Sequence, residues 1–488
     1  MRRSALIAAA IFALTLATRV PFASSQLWAW DSVLYARALE DGFHVDYVTE
    51  SQRPHPPGYI LYVGIASVAR QFTNESNSAL VLVSTIASAL AAAALFLFAR
   101  RFASDRAAAL VSLGFALSPL VWHYSEVAYP YTVLGLLSIL LAACFTRARG
   151  SSAMTALIAS AAFGVASGFR QDLLVLLGPL WLWTVWQLPW RGRAAAAAMV
   201  LLGCLAWLIP TAALSGGVWA YVDAVIHQTE FVRATHSVQA QGLPALGTNL
   251  AATVSALVWG LELFTVPLVA LLLARCYRAV RARTVVLAER EVMLVAWIVP
   301  GLLLYVGLHI GDSGYVLSIL PGLYVVAAVA IDRAPALPQR AGRLALSAAL
   351  LAPAVVFLTS PGPVSAATIA RHDSELISRF RYVREHYDDD DTLLLAREDF
   401  LLVRYYLPEY RTWFHGRDPY RSTFRRKRAP QVTAIVVFTP GLKATSGDAL
   451  RVRCAKDVEL VYLPIEPGSI VELHDDNYTI AELPYRRY

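Results

Sequence analysis

Apolar residues along this chain fall into long uninterrupted blocks rather than alternating with polar ones. A helix needs ~20 consecutive apolar residues to cross the hydrocarbon core of a bilayer. By that measure candidate spans lie near 4–22, 77–99, 107–123, 130–146, 153–170, 173–190, 194–214, 249–274, 291–309, 314–331 and 343–360. The pattern predicts an α-helical polytopic membrane protein with about eleven transmembrane helices. From residue 361 the pattern changes: charge rises, and strand-like runs such as "DTLLLA" and "VTAIVVFT" alternate with helical runs such as "DSELISRFRYVREHY" and "EDFLLVRYYLP". Residues 1–360 thus read as a membrane domain and 361–488 as a small C-terminal α/β domain.

One apolar run, 56–70, is short and opens on Pro56-Pro57. Charge decides its place. Basic clusters stand at Arg2/Arg3, Arg100/Arg101/Arg106, Arg147/Arg149, Arg191/Arg193, Arg275/Arg278/Arg281/Arg283 and Arg333/Arg340/Arg343. If 56–70 does not cross, all of them share the side of the N-terminus, as the positive-inside rule prefers. The run therefore reads as a helix lying at the outer surface within a first outer loop, 23–76. The expected arrangement is a multi-pass protein of the cell inner membrane, N-terminus cytoplasmic and C-terminal domain extracytoplasmic. The N-terminal run reads as a retained first span rather than a signal peptide.

Composition narrows the function classes. With 57% hydrophobic and 16% charged residues over 488 positions and a mean hydropathy of +0.51, an ordinary soluble protein is excluded. The net charge of +7 comes almost wholly from Arg, since Lys427, Lys443 and Lys456 are the only lysines. Most of that charge flanks apolar blocks and sets orientation, so it does not indicate nucleic acid. Cys144, Cys204, Cys276 and Cys454 form no CxxC or Cys/His pattern, and neither a zinc site nor a disulfide framework is indicated. The run Asp388–Asp391 lacks the Gly and closing Glu of a calcium loop and reads as a turn before a strand.

Candidate chemistry gathers in the first outer loop, "WAWDSVLYARALEDGFHVDYVTESQRPHPPGYILY". Asp31 opens a run with Leu34, Tyr35, Ala38 and Leu39 on one face, the spacing of a helix lying flat on a bilayer. Asp31 suits an N-cap of that helix, and a cap also fixes a carboxylate in place. At a water–lipid boundary a lipid-linked substrate presents its phosphate. Moving a sugar from phosphate to a hydroxyl needs a carboxylate to take the hydroxyl proton and cations to hold the departing phosphate. Asp31, Arg53 and His55 supply that set, and Pro56-Pro57 stiffens the chain beside His55.

The order of these features resembles the GT-C superfamily of polytopic glycosyltransferases, within it the bacterial protein O-mannosyltransferase-like and aminoarabinose-transferase-like branch. The likeness rests on Arg19 near the end of the first span, Trp30-Asp31, the aromatic helix after it, and "HPPGYILYV" with Tyr59. It continues through "SPLVWHYSEVAYPYTVLGLLS" with Glu126 and "GYVLSILPGLYVV" with Tyr315, covering roughly residues 10–330. The resemblance implies Asp31 as general base, Glu126 as a second acidic residue of the same cavity, and His55 where many members carry Lys beside the lipid phosphate. It further implies that Arg170 of "GFRQD" and Tyr315 approach that phosphate. Two departures stand out: Ser32 follows Asp31 where members often have Glu, and His55 makes that charge pH-dependent.

Each residue also has a plainer reading. Glu126 fits a solvated loop residue, and Arg170 with Asp172 fits a structural pair at a helix end, although charges at membrane depth point to function. His309, with His227 and His236, lies near outer loops within reach of substrate. The expected partners are a polyprenyl-phosphate-linked sugar donor, an acceptor that is protein, lipid or polysaccharide, and the membrane, with no nucleic acid. The expected reaction is a single displacement with inversion. No cofactor is certain; the resemblance allows a divalent metal ion, but no ligand set here argues for one. The competing class is a membrane transporter or lipid flippase, which commonly shows repeated halves around a midplane site. No repeat is visible here.

Overall fold

The computed structural model describes all residues except 1, 49–50, 283–286, 335–337, 415–432, 439–442, 445–449, 465–472 and 475–488. The chain begins with α1 (Arg2–Arg19) and then the first loop, which holds α2 (Trp30–Glu40) and α3 (Ile60–Arg70). The bundle follows with α4 (Ser76–Ala99), α5 (Asp105–Leu117), α6 (Pro119–Glu126), α7 (Tyr131–Ala148), α8 (Ala153–Ala166), α9 (Leu173–Val185) and α10 (Trp190–Leu214). After α11 (Val218–His236) and the single turn α12 (Val238–Gln241) come α13 (Leu243–Leu261), α14 (Thr265–Ala282), α15 (Glu289–Gly307), α16 (Leu320–Arg333) and α17 (Gln339–Thr359).

Seven of these stretches are long and apolar enough to cross a membrane, and α5 with α6, bent by 53° at Ser118, makes an eighth candidate. All eleven apolar blocks are helical, so the chain is a multi-pass membrane protein. Length alone assigns fewer crossings than the blocks suggest, for a physical reason. Blocks 153–170 and 314–331 run past their helices, because residues 167–172 form the turn that carries Arg170 and residues 313–318 form a 3-10 turn that carries Tyr315. Apolar chain is spent there on shaping loops. The run 243–278 counts as one stretch of 36 residues.

The run 56–70 holds no helix long enough to cross on its own. Its helix α3 has 11 residues, about 16 Å at 1.5 Å per residue, against a hydrocarbon core of ~30 Å. Helix α2 corrects a sequence expectation. Leu34, Tyr35 and Ala38 face protein instead of lipid and are buried, with Tyr35 edge-on to Tyr62 at 5.1 Å and to Tyr59 at 5.4 Å. Each large apolar side chain so buried is worth about 2 kcal/mol.

Elsewhere the bundle packs through small residues. A Cβ on Gly164 of α8 would stand 2.1 Å from the Val200 carbonyl oxygen of α10, and one on Gly203 would stand 2.5 Å from that of Ala161. The two backbones touch, which only glycine permits.

Beyond α17 the chain forms α18 (Ala366–His386), β1 (Thr392–Ala396), α19 (Phe400–Tyr406), β2 (Arg411–Phe414), β3 (Ala434–Val437), β4 (Lys443–Ala444), β5 (Leu450–Ala455), β6 (Val458–Pro464) and β7 (Leu473–His474). One sheet runs β2-β1-β3-β6-β5, and β4 pairs with β7. Strands β1, β2 and β3 are parallel while β6 and β5 are antiparallel. Strands β1 and β3 are buried throughout, as their continuous apolar runs require. This unit sits against the first loop, at the same end of the bundle as the end of α1 and the end of α6, where Ser24 N–H donates to the Glu126 carbonyl at 2.8 Å.

Candidate active site

Four separated segments converge on Asp31. Helix α2 begins at Trp30, and its N-cap is Ala29 without a side-chain bond, so Asp31 sits in the first turn and is not the cap. Ser32 next to it is fully buried and donates to the Ala128 carbonyl at 3.0 Å, pinning the inner side of the turn. The helix N-terminus still favours the carboxylate electrostatically. The side chain is therefore placed by backbone rather than by capping.

His55 comes from the Pro-rich turn, where Arg53–Pro54 and Pro56–Pro57 are cis. Its Nε2 stands 3.4 Å from Asp31 Oδ1, with 17% and 31% of the two side chains exposed. Its Nδ1 donates to the Pro56 carbonyl at 2.5 Å. With Nδ1 carrying a proton, Nε2 can face the carboxylate favourably only when it too is protonated. Burial opposes charging His55, but Asp31 outweighs it and holds the imidazole above its ordinary range. Burial likewise pushes the Asp31 carboxyl up, and His55 with Arg170 outweighs it, so Asp31 is held below the usual carboxylate range. Asp31 is thus an ionised carboxylate beside an imidazole whose protonated form it favours.

Gly58 and Tyr59 close that turn. Gly58 has φ +116°, and a Cβ there would stand 2.7 Å from Val45 Cγ2, so this position needs glycine. Tyr59 has φ 52°, left-handed for a bulky residue at a cost of ~1–2 kcal/mol. The strained turn sets the Tyr59 ring edge-on to His55 at 5.3 Å.

Arg170 enters from the turn between α8 and α9. Its Nε pairs with Asp172 Oδ2 at 2.9 Å, and its guanidinium carbon lies 3.8 Å from the Tyr315 ring centroid and 5.6 Å from that of Tyr131. Asp172 occupies Nε alone, and the terminal nitrogens make no hydrogen bond to the described residues. They remain available to an anion, the fork geometry that suits phosphate.

The fourth segment is 308–318. Tyr305 donates to the Tyr315 carbonyl at 2.9 Å, and His309 lies 6.1 Å from the Tyr315 ring. His309 Nε2 and the Tyr315 hydroxyl both border Gly311, where a Cβ would meet them at 2.8 and 2.9 Å.

The structure thus brings Asp31, His55, Tyr59, Arg170, Tyr315 and His309 into one neighbourhood. Two other expected residues lie elsewhere. The Arg53 backbone pairs with His44, and its Nη1 donates to the Asp41 carbonyl at 2.8 Å. Glu126 is fully buried, accepts from Trp122 Nε1 at 3.1 Å and faces Arg19. Arg19 is also fully buried; it lies 4.6 Å above the Trp122 ring and donates to the Ala116 carbonyl. Glu126 is not a solvated loop residue, and its side chain's contacts are with Trp122 and Arg19.

Sequence reasoning missed the other side of the pocket. Asp312 accepts from Gly314 N–H at 2.9 Å and from the Tyr124 hydroxyl, which also lies 2.7 Å from Ser313 Oγ. Tyr124 is edge-on to Tyr131 at 5.0 Å, and Tyr129 stacks on Tyr131 at 5.0 Å. The available signal was that Asp312 is the sole acid of "LHIGDSGYVLSIL", a polar break between two apolar blocks. Among the described residues no three His, Cys, Asp or Glu side chains group as metal ligands.

By sequence, no protein family pattern matches the chain and no curated protein matches it. By structure, the chain is similar to ArnT from Cupriavidus metallidurans in its crystal structure bound to undecaprenyl phosphate. That similarity has a TM-score of 0.55 and 14% identity, covering 96% of this chain and 97% of that one. The apo structure of the same protein gives the same TM-score, identity and coverage. Over nearly its whole length, membrane helices and C-terminal unit together, the chain has the fold of that polytopic protein.

Proposed function

We propose that this protein is an integral-membrane glycosyltransferase of the GT-C type. It moves a sugar from a polyprenyl-phosphate donor to an acceptor hydroxyl at the extracytoplasmic face, with inversion. The observation that carries the reading is the meeting of a partly exposed, ionised Asp31 with the His55 imidazole, whose charged form it favours, and with Arg170, whose terminal nitrogens make no hydrogen bond to the described residues. The donor class is supported by the fold shared with ArnT, whose crystal structure holds undecaprenyl phosphate.

Asp31 accepts the acceptor's O–H proton as that oxygen attacks the anomeric carbon from the face opposite the phosphate. The carbon–oxygen bond to phosphate breaks, and its electron pair stays on the phosphate. The terminal nitrogens of Arg170 hold the charge that develops there, the His55 charge adds to the field while its N–H groups stay on Pro56 and Asp31, and the Tyr315 face keeps the guanidinium in place. Asp31, held low, is ionised throughout the neutral range and needs no activation. Glu126 belongs outside this chemistry: with Arg19 and Trp122 it ties α1, α6 and the start of the first loop together. Arg53 shapes the hairpin with His44.

The positive-inside arrangement of the Arg clusters supports an inner-membrane protein with a cytoplasmic N-terminus. The test is sugar transfer by purified protein in vesicles, offered a panel of polyprenyl-phosphate-linked hexoses and pentoses. The reading expects transfer by the wild type and its loss in Asp31→Asn. Full transfer by a correctly inserted Asp31→Asn protein, or substrate translocation without transfer as a flippase would give, overturns it.

A further inference from the structure

The segment that carries Asp31 is held from outside by the C-terminal domain. Asp373 of α18 accepts from Ser24 Oγ at 2.7 Å, from Ser25 N–H at 2.6 Å and from Ser25 Oγ at 3.0 Å. Three residues on, the Leu27 N–H donates to the Tyr406 hydroxyl of α19 at 2.8 Å, and the Leu27 carbonyl stands 3.1 Å from His372 Nε2. The Trp28 ring lies between His372, 4.5 Å away, and His123 of α6, 4.8 Å away. Trp30, the residue before Asp31, faces Phe400 at 6.2 Å and Phe414 at 6.1 Å. At the far end of α2, Glu40 accepts from Tyr405 of α19 at 2.6 Å.

The inner side of the same segment is fixed to the membrane domain by Ser32 on the Ala128 carbonyl and by Ser76 on Glu40 at 2.6 Å. Residues 24–40 are therefore clamped between two bodies. A carboxylate that must meet a reacting hydroxyl within hydrogen-bond reach tolerates little freedom, since misplacement by ~1 Å costs on the order of 100-fold in rate. The first-loop stretch before α2 has no regular structure of its own apart from a 3-10 turn at Val20–Phe22. Its order comes from what it touches.

We infer that the C-terminal domain is a positioning element for the reaction: through Asp373, Tyr405 and Tyr406 it holds the Asp31 helix in register with His55 and Arg170. This rests on the glycosyltransferase reading above. The domain contributes no reacting group of its own in this role, and its face toward the first loop sets where the acceptor meets the base.

The test uses the full chain in vesicles with the panel donor that the wild type accepts. Asp373→Asn combined with Tyr405→Phe loosens both ends of the clamp while leaving every residue of the Asp31 cluster in place. The expected result is amide exchange over residues 24–40 accelerated at least about fivefold, as the stretch loses the contacts that Asp373 and Tyr405 make to it. With it kcat falls by about tenfold while the donor KM stays within about twofold, the split expected when transition-state alignment and not phosphate binding is lost. Tyr405→Phe combined with Asp373→Glu, which restores the carboxylate, recovers part of kcat. Unchanged exchange, unchanged kcat, or a loss confined to donor KM overturns the positioning role. A wild type that transfers no sugar from any donor overturns the underlying reading instead, so the two failures are distinct.

Discussion

Two acid–base groupings lie at the same end of this bundle, and they differ in what surrounds them. Around Asp31, in the first turn of α2, the carboxylate and His55 keep part of their surface exposed, and the terminal nitrogens of Arg170 make no hydrogen bond to the described residues. Around Glu126 both the acid and Arg19 are fully enclosed, and Trp122 fills the space between them. Both would be flagged by a search for charge at membrane depth. The difference teaches that accessibility and unspent hydrogen-bonding capacity, not charge alone, separate a reacting pair from a structural one.

The largest expected effect breaks the first grouping. Asp31→Asn removes the base without changing shape, and transfer falls by about 10²–10⁴-fold, measured as initial rate at saturating donor, with insertion and melting temperature unchanged. The second grouping responds in the opposite way. Glu126→Gln removes the enclosed carboxyl that accepts from Trp122 Nε1 and faces buried Arg19, costing about 1–3 kcal/mol of stability, read by thermal unfolding in detergent. Its turnover per folded molecule stays near that of the wild type. Replacing both Arg19 and Glu126 by leucine returns much of the stability. If Glu126→Gln lost turnover and kept its stability, the comparison would be reversed.

Smaller effects sharpen it. Arg170→Ala raises the donor KM by about tenfold or more, and Arg170→Lys recovers only part because a point charge replaces the fork. Arg53→Ala, outside the cluster, leaves the donor KM within about twofold. The His55 imidazole is held above its ordinary range, so its charge is lost only as pH rises through that raised value. Transfer by the wild type should decline on that alkaline limb, while His55→Lys moves the decline to higher pH. Asp31, held low, places the acid limb below the ordinary carboxylate range. A pH–rate profile for both proteins checks both limbs.

Much of this was legible in the chain. The apolar blocks are helices, the run 56–70 holds a helix short of a crossing, and the strand-like runs "DTLLLA" and "VTAIVVFT" hold β1 and β3 of the C-terminal sheet. Each of these rests on period and length, which are local properties. Asp31, His55, Tyr59, Arg170 and Tyr315 were reachable because their order resembles a known arrangement. What sequence could not give depends on contacts between distant segments. Ala29, not Asp31, is the N-cap residue of α2, and Ser32 anchors the turn on Ala128. The face of α2 that reads as lipid-facing meets Tyr59 and Tyr62 instead. Glu126 sits one turn from Trp122 and opposite Arg19, more than a hundred residues earlier in the chain, and only folding reveals that enclosure. Asp312 was passed over because one acid in a short link carries no pattern.

The most direct measurement is the binding of undecaprenyl phosphate to the purified protein and its variants by native mass spectrometry. The account predicts that wild type and Glu126→Gln retain one phosphate lipid through activation, while Arg170→Ala and His55→Ala lose it with at least about tenfold weaker affinity. Binding indifferent to Arg170 and His55, or no binding by the wild type at all, would contradict it.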